Sequence, residues 1–175
     1  MSKGTTVKKR NGRGTEPLDL EKMHRMVEEA CRGVAGVSAS QVEITSGIQF
    51  YDGITTAEIQ EILIKSASDL IDLENPNYQF VAARLLLFAL RKSLYGKIRE
   101  FPHLETQIMS CTSVDVYDKE IFTKYSKEEI DKANTFIDHD RDFLFTYAGL
   151  RQVVDKYLVQ DRSTGQAYET PQFMY

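Results

Sequence analysis

The sequence predicts a mainly α-helical chain in two parts. A short N-terminal β-hairpin with a four-helix bundle fills residues 7–95, and further helices with a small second hairpin fill residues 96–175. Three observations lead there. Asn11-Gly12 separates a basic strand-like stretch from its return, and both residues tolerate the positive φ of a tight turn. Apolar residues then recur at three- and four-residue spacing. Ser or Thr followed three residues on by Glu or Gln opens several of those runs.

Residues 1–6 are small, polar and basic, and are expected to be a disordered tail. Val7–Arg10 reads as a strand, and the return runs to Leu18, with Pro17 marking an edge. Asp19 stands at the N-cap of a first helix whose apolar face is Leu20, Met23, Val27, Ala30, Cys31 and Val34, stopping near Gly33 or Gly36. Ser38-Ala39-Ser40-Gln41 opens a second helix that turns Val42 and Ile48 inward and ends by Tyr51-Asp52-Gly53. Thr55-Thr56-Ala57-Glu58 opens a third, burying Ile59, Ile62, Leu63, Ser66, Leu70 and Ile71. After Asn75-Pro76-Asn77, a fourth helix runs from about Tyr78 to Tyr95 on Val81, Ala82, Leu85, Phe88 and Ala89, and Gly96 stops it.

Residues 97–104 read as a linker. Beyond it come a helix over Leu104–Met109, a short apolar piece at Ile121-Phe122, and a helix from Ser126-Lys127-Glu128-Glu129 to about Phe136. A single helix is expected over Asp142–Tyr157, on Phe145, Leu150, Val153 and Val154. Tyr157-Leu158-Val159 and Gln166-Ala167-Tyr168 are expected to pair around Ser163-Thr164-Gly165. Thr170-Pro171 announces a helix with only four residues left to occupy, too short to offset its own nucleation. The expectation is therefore that this polypeptide begins a longer protein.

Composition narrows the function. A net charge of -4, with the positive charge concentrated before residue 14, argues against a general nucleic-acid binder and for a local anion site. Cys31 and Cys111 are too few for a zinc ribbon or a disulfide framework, and Cys31 falls on an apolar helix face as a structural thiol. No apolar run approaches the roughly 18 residues of a membrane span, and no secretory signal is visible, so a cytoplasmic chain is expected.

The first helix start offers unpaired N–H groups and partial positive charge, with Lys8, Lys9, Arg10 and Lys22 nearby, an arrangement able to hold a polyphosphate. The same arrangement describes an ordinary solvated surface, and neither a Walker loop nor G-x-G-x-x-G decides between the two. Asp138-His139-Asp140-Arg141-Asp142 offers metal-type side chains, but consecutive residues point apart, so capping and local salt bridges are expected there. His24 and His103 read as isolated surface or packing residues. Phe50, Tyr51, Tyr78, Phe80 and Phe88 read as core, having no interleaved basic residues for base stacking.

Longer stretches carry a resemblance. V-x-K-R-[ND]-G, E-x-x-[ND]-L-x-K-[IM]-H-R, S-x-S-Q-V-E, I-Q-F-Y-D-G-I-x-T and Y-Q-x-x-A-A-R-L resemble the ATP-cone at the N-terminus of the large subunit of class Ia ribonucleotide reductase. T-F-I-D-H-D-R-D at 135–142 and K-Y-L-V-Q-[DN]-R-x-T-G at 156–165 resemble the start of that enzyme's helical catalytic domain.

The resemblance implies binding of ATP or dATP, with Mg2+, at an allosteric activity site. Lys9 and Lys92 match lysines that contact the triphosphate, with Arg10 a weaker candidate. Glu16, Pro17, Leu18, Asp19, Leu20, Glu21 and Lys22 match the segment along adenine and ribose, Glu16 as acceptor for the exocyclic amine. Thr56 matches a helix-start residue closing the phosphate side.

Two departures stand out: an extra residue in Gly12-Arg13-Gly14, and Gln60 where the enteric type has a histidine near the ribose. Gln60 bears on the inhibitory response to dATP rather than on adenine binding. The implied partners are the remainder of the large subunit and the small, radical-generating subunit; no nucleic acid and no membrane are expected. No position matches the family's catalytic cysteines, so the chain alone is not expected to reduce nucleotides. The alternatives are a free-standing nucleotide sensor, as in repressor-type cones, and a purely structural helical module.

Overall fold

The computed structural model describes residues 5–9, 14–47 and 49–175. The expected turn at Asn11-Gly12, the lengthened tip, Arg10, Ile48 and most of the N-terminal tail lie outside these residues. The chain divides into two compact units. The first runs to Ala89 and takes in Phe145–Leu150; the second comprises Leu90–Leu144 and Arg151–Tyr175.

In the first unit, β1 (Thr6–Lys8) pairs antiparallel with β2 (Thr15–Pro17), matching Val7 to Glu16. Sequence reading missed a third strand, β3 (Ile54–Thr55), which lies parallel to β1 with Lys8 opposite Thr55, giving the order β2-β1-β3. Val7 and Ile54 are buried, so the sheet turns one apolar face inward. Asp52 locks the turn before β3, its Oδ1 accepting the backbone N–H and hydroxyl of Thr6 at 2.8 and 2.6 Å.

Helices α1 (Leu20–Cys31), α2 (Ala39–Gly47), α3 (Thr56–Asp69) and α4 (Tyr78–Tyr95) follow. Asp19 caps α1 by accepting the Lys22 N–H at 2.9 Å. Thr55 and Glu58 complete a capping box on α3, the kind of reciprocal pair whose Thr is worth about 1 kcal/mol. Arg84 closes the other end of α1, donating to the Ala30 and Arg32 carbonyls at 3.1 and 2.6 Å. The Tyr78 hydroxyl donates to Gln41 Oε1 and accepts the Ser38 N–H, tying the starts of α4 and α2.

Val27, Ala30, Val42, Leu63, Ala67, Val81, Leu85 and Phe88 are buried. Four expectations in this unit need correcting. Leu20 is exposed, because it opens the helix beside its cap. α3 stops at Asp69, so Ile71 is exposed, and Ile64 and Ala67 join Leu63 in the core. Tyr51 is exposed as well, its hydroxyl donating to Glu58 Oε1 at 2.8 Å. α4 is buried on more than the one face expected, with Ala83, Leu86 and Leu87 covered too. Gly96, at φ 72°, ends it and donates to the Lys92 carbonyl at 3.1 Å.

The second unit contains α5 (Leu104–Ser113), α6 (Ile121–Lys124), α7 (Lys127–Asn134) and the four-residue α9 (Pro171–Met174); α8 (Tyr147–Gln152) lies between its segments in the chain. Ser126 and Glu129 form the expected capping box on α7. The single helix expected over Asp142–Tyr157 is not there. A 3-10 turn spans His139–Leu144, α8 starts anew at Tyr147, and a π-type turn follows over Val153–Tyr157. Thr146 restarts the helix by accepting the Gly149 N–H on its hydroxyl at 3.2 Å.

The second hairpin shrinks to one antiparallel bridge, Gln160 with Ala167. The buried Glu169 carboxylate accepts the Val159 N–H at 2.8 Å, replacing the backbone acceptor that a ladder would have supplied. Its other oxygen accepts from the Tyr117 hydroxyl.

Asp142, expected as a local capping residue, is instead fully buried and ion-paired with Arg91 at 3.0 Å. The Arg91 guanidinium lies over the rings of Phe101 and Phe143, 4.7 and 5.1 Å from their centroids. His139 stacks on Phe101 at a centroid distance of 3.6 Å. Burial, with Arg91 beside it, pushes this imidazole down to about 4. A histidine held below its unfolded value stabilises the fold fully above pH 6.5, and that contribution is lost as pH falls from there toward 4. Urea unfolding at pH 7 and pH 5 is expected to show a smaller loss of stability for His139→Phe than for the parent chain.

Candidate functional site

The sheet register decides which basic side chain goes where. Glu16 shares a face with its partner Val7, and Lys9 lies two residues beyond Val7 on that side. Lys9 Nζ accordingly meets Glu16 Oε2 at 2.7 Å, both side chains being nearly half exposed. Lys8 takes the opposite face. Its Cε comes within 3.8 Å of where a Cβ on Gly53 would stand, and Gly53 (φ 82°) admits both that approach and the turn.

Lys8 is thereby directed to the start of α3, where Glu58 is held below the usual carboxylate range by the Thr55 hydroxyl and backbone, the Tyr51 hydroxyl and the Lys8 charge. Sequence reading counted Lys8 among the nearby cations without giving it a place. Pairing of the β-branched Ile54-Thr55 with β1 gives it one.

Among the other predicted residues, Thr56 is half-buried in the first turn of α3, and Gln60, one turn on, is buried. The Gln60 amide approaches Met26 Sδ of α1 at 3.9 Å, so Gln60 of α3 faces Met26 of α1. Glu16 and Leu18 are half-buried, and Pro17, Asp19, Leu20, Glu21 and Lys22 are exposed, a solvent-open strip leading into α1. Glu21 reaches Arg25 only at 4.0 Å. Lys92 occupies the last turn of α4, in the second unit.

His24 is not isolated. It bridges α1 to α2, its Nδ1 2.7 Å from Glu43 and its Nε2 3.2 Å from Glu28, and these carboxylates raise its pKa. Cys31 is half-buried, and burial pushes its thiol up to about 11, which fits a structural role.

The family model of the ATP cone domain matches residues 5–93. That span covers all three strands and nearly all of the four helices. The chain belongs to the ATP-cone family.

Its similarity to known proteins extends past the cone. It is 47% identical over 175 residues to the ribonucleoside-diphosphate reductase 1 subunit alpha of Escherichia coli (strain K12), covering 100% of this chain and 23% of that protein. It is 45% identical over 175 residues to the corresponding subunit alpha of Haemophilus influenzae, again 100% of this chain and 23% of the relative. The subunit alpha of Enterobacteria phage T4 is 42% identical over 163 residues, 92% of this chain and 21% of that protein. The chain thus spans less than a quarter of these relatives, in their N-terminal region. Among the described residues, no helix is long and apolar enough to cross a membrane.

Proposed function

We propose that this ATP-cone binds ATP or dATP as an allosteric effector of a ribonucleoside-diphosphate reductase large subunit. The observation that carries the proposal is the family match over the sheet and its helices, joined to a register that sets a basic strand beside the start of α3. Cations and helix-start N–H groups suit a triphosphate, which would arrive with Mg2+ on its own oxygens. Lys9 and Lys92 are the proposed phosphate ligands. Glu16 to Lys22 form the proposed adenine and ribose side, with Gln60 near the ribose, and Thr56 closes the proposed phosphate side.

The Lys9–Glu16 pair sharpens this reading. In the absence of nucleotide Lys9 is held by Glu16, so a phosphate entering the site competes with that carboxylate for the ammonium. An exposed pair of this kind is worth about 0–1 kcal/mol, and exchanging it for a phosphate is easy. If Glu16 serves mainly to restrain Lys9, Glu16→Gln tightens ATP binding a few-fold. If it accepts the adenine amine, the same change weakens ATP binding and leaves inorganic triphosphate binding unaffected. Calorimetry with both ligands separates the two roles.

The proposed partners are the remainder of the large subunit and the small, radical-generating subunit. An effector shifts such an assembly only through different affinities for its states. Mixing this chain with the complementary remainder and the small subunit tests the assignment. Reductase activity that depends on this chain and responds to ATP or dATP supports it. Activity indifferent to the chain counts against it.

A further inference from the structure

We propose that His103, Glu105 and Asp131 form a binding site for a divalent transition-metal ion of the Zn2+ class in the second unit. Two helices supply the three side chains: His103 caps α5, Glu105 lies in its first turn, and Asp131 lies on α7. Their donor atoms all lie within 4.8 Å of one another. Ligand atoms around a tetrahedral Zn2+, at about 2.0–2.1 Å from the metal, stand about 3.4 Å apart, so closing the set asks for small side-chain rotations. One imidazole and two carboxylates make a mixed set suited to Zn2+, with water completing the coordination, and the imidazole distinguishes it from a merely acidic surface.

The frame holding these groups is tied down. The Leu104 N–H donates to Asn134 Oδ1 at 2.8 Å, joining the start of α5 to the end of α7. His103 Nδ1 accepts the Glu105 N–H at 3.3 Å, which turns Nε2 toward Asp131, 3.7 Å from its Oδ1. In that neutral ring Nε2 carries the proton. Metal binding at Nε2 moves the ring proton to Nδ1 and gives up the long cap bond, leaving the Glu105 N–H to water, with no net change in ring charge. Lys127 Nζ, 3.3 Å from Glu105 Oε2, competes with a metal ion for that carboxylate.

The test is calorimetric titration of the full, nucleotide-free chain with Zn2+, alongside thermal unfolding. The proposal expects one saturable site, a higher Tm with metal, and affinity lowered at least about tenfold by Asp131→Asn and by His103→Asn. Asparagine is itself a good N-cap, so His103→Asn removes the imidazole while keeping the helix start. Lys127→Ala is expected to tighten binding. Absence of saturable binding, or a site that neither His103→Asn nor Asp131→Asn weakens, overturns the proposal.

Discussion

Asp142→Ala is expected to destabilise the second unit by about 3–5 kcal/mol, because it strands the Arg91 guanidinium, itself fully buried, without its counter-charge. Asp142 has two anchors: Arg91 on one oxygen and the Gln172 amide, at 3.1 Å, on the other. The alanine therefore also releases α9, which packs against the 139–144 turn. The control is the double replacement Arg91→Met with Asp142→Leu. Removing both charges leaves no buried orphan, and this variant should unfold close to the parent midpoint. Urea denaturation followed by circular dichroism checks both. A single replacement that costs no more than the double one would mean the pair is not what holds this region.

Lys9→Ala is expected to weaken ATP binding about 10- to 100-fold, the range for one charge-assisted hydrogen bond to phosphate, at about 1.5–3 kcal/mol. Stability should barely change, since the ion pair lost is exposed. Lys9→Arg is expected to recover part of the affinity, because charge matters more here than shape. Lys8→Ala supplies the comparison. Its side chain serves the α3 start and Glu58, so it should act through the capping box and cost less affinity than Lys9→Ala. Equal losses for the two lysines would point to general charge rather than a defined ligand.

The parts legible in the sequence were those fixed by neighbours three or four residues away. Asp19, Thr55 and Ser126 each bond to a backbone N–H three residues on, and each was readable as a helix start. The features that escaped depend on distant partners. β3 is two residues long and owes its existence to β1, more than forty positions earlier.

Arg91 sits three residues after Phe88 on the buried side of α4, and that spacing was a readable hint of a buried cation. Nothing local named Asp142 as its partner. The 142–157 stretch has helical periodicity, yet its backbone passes through a 3-10 turn, a fresh helix start at Tyr147 and a π-type turn. At the candidate site, resemblance supplied the residue set, but only the register of β1 showed that Lys9 and Glu16 are paired with each other and that Lys8 faces the start of α3.

The most direct measurement is calorimetric titration of the purified 175-residue chain with ATP and Mg2+. Saturable binding of nucleotide, markedly weaker in Lys9→Ala and in Lys92→Ala, is the predicted result. A flat titration with a chain shown to be folded, or binding that both substitutions leave untouched, would contradict it.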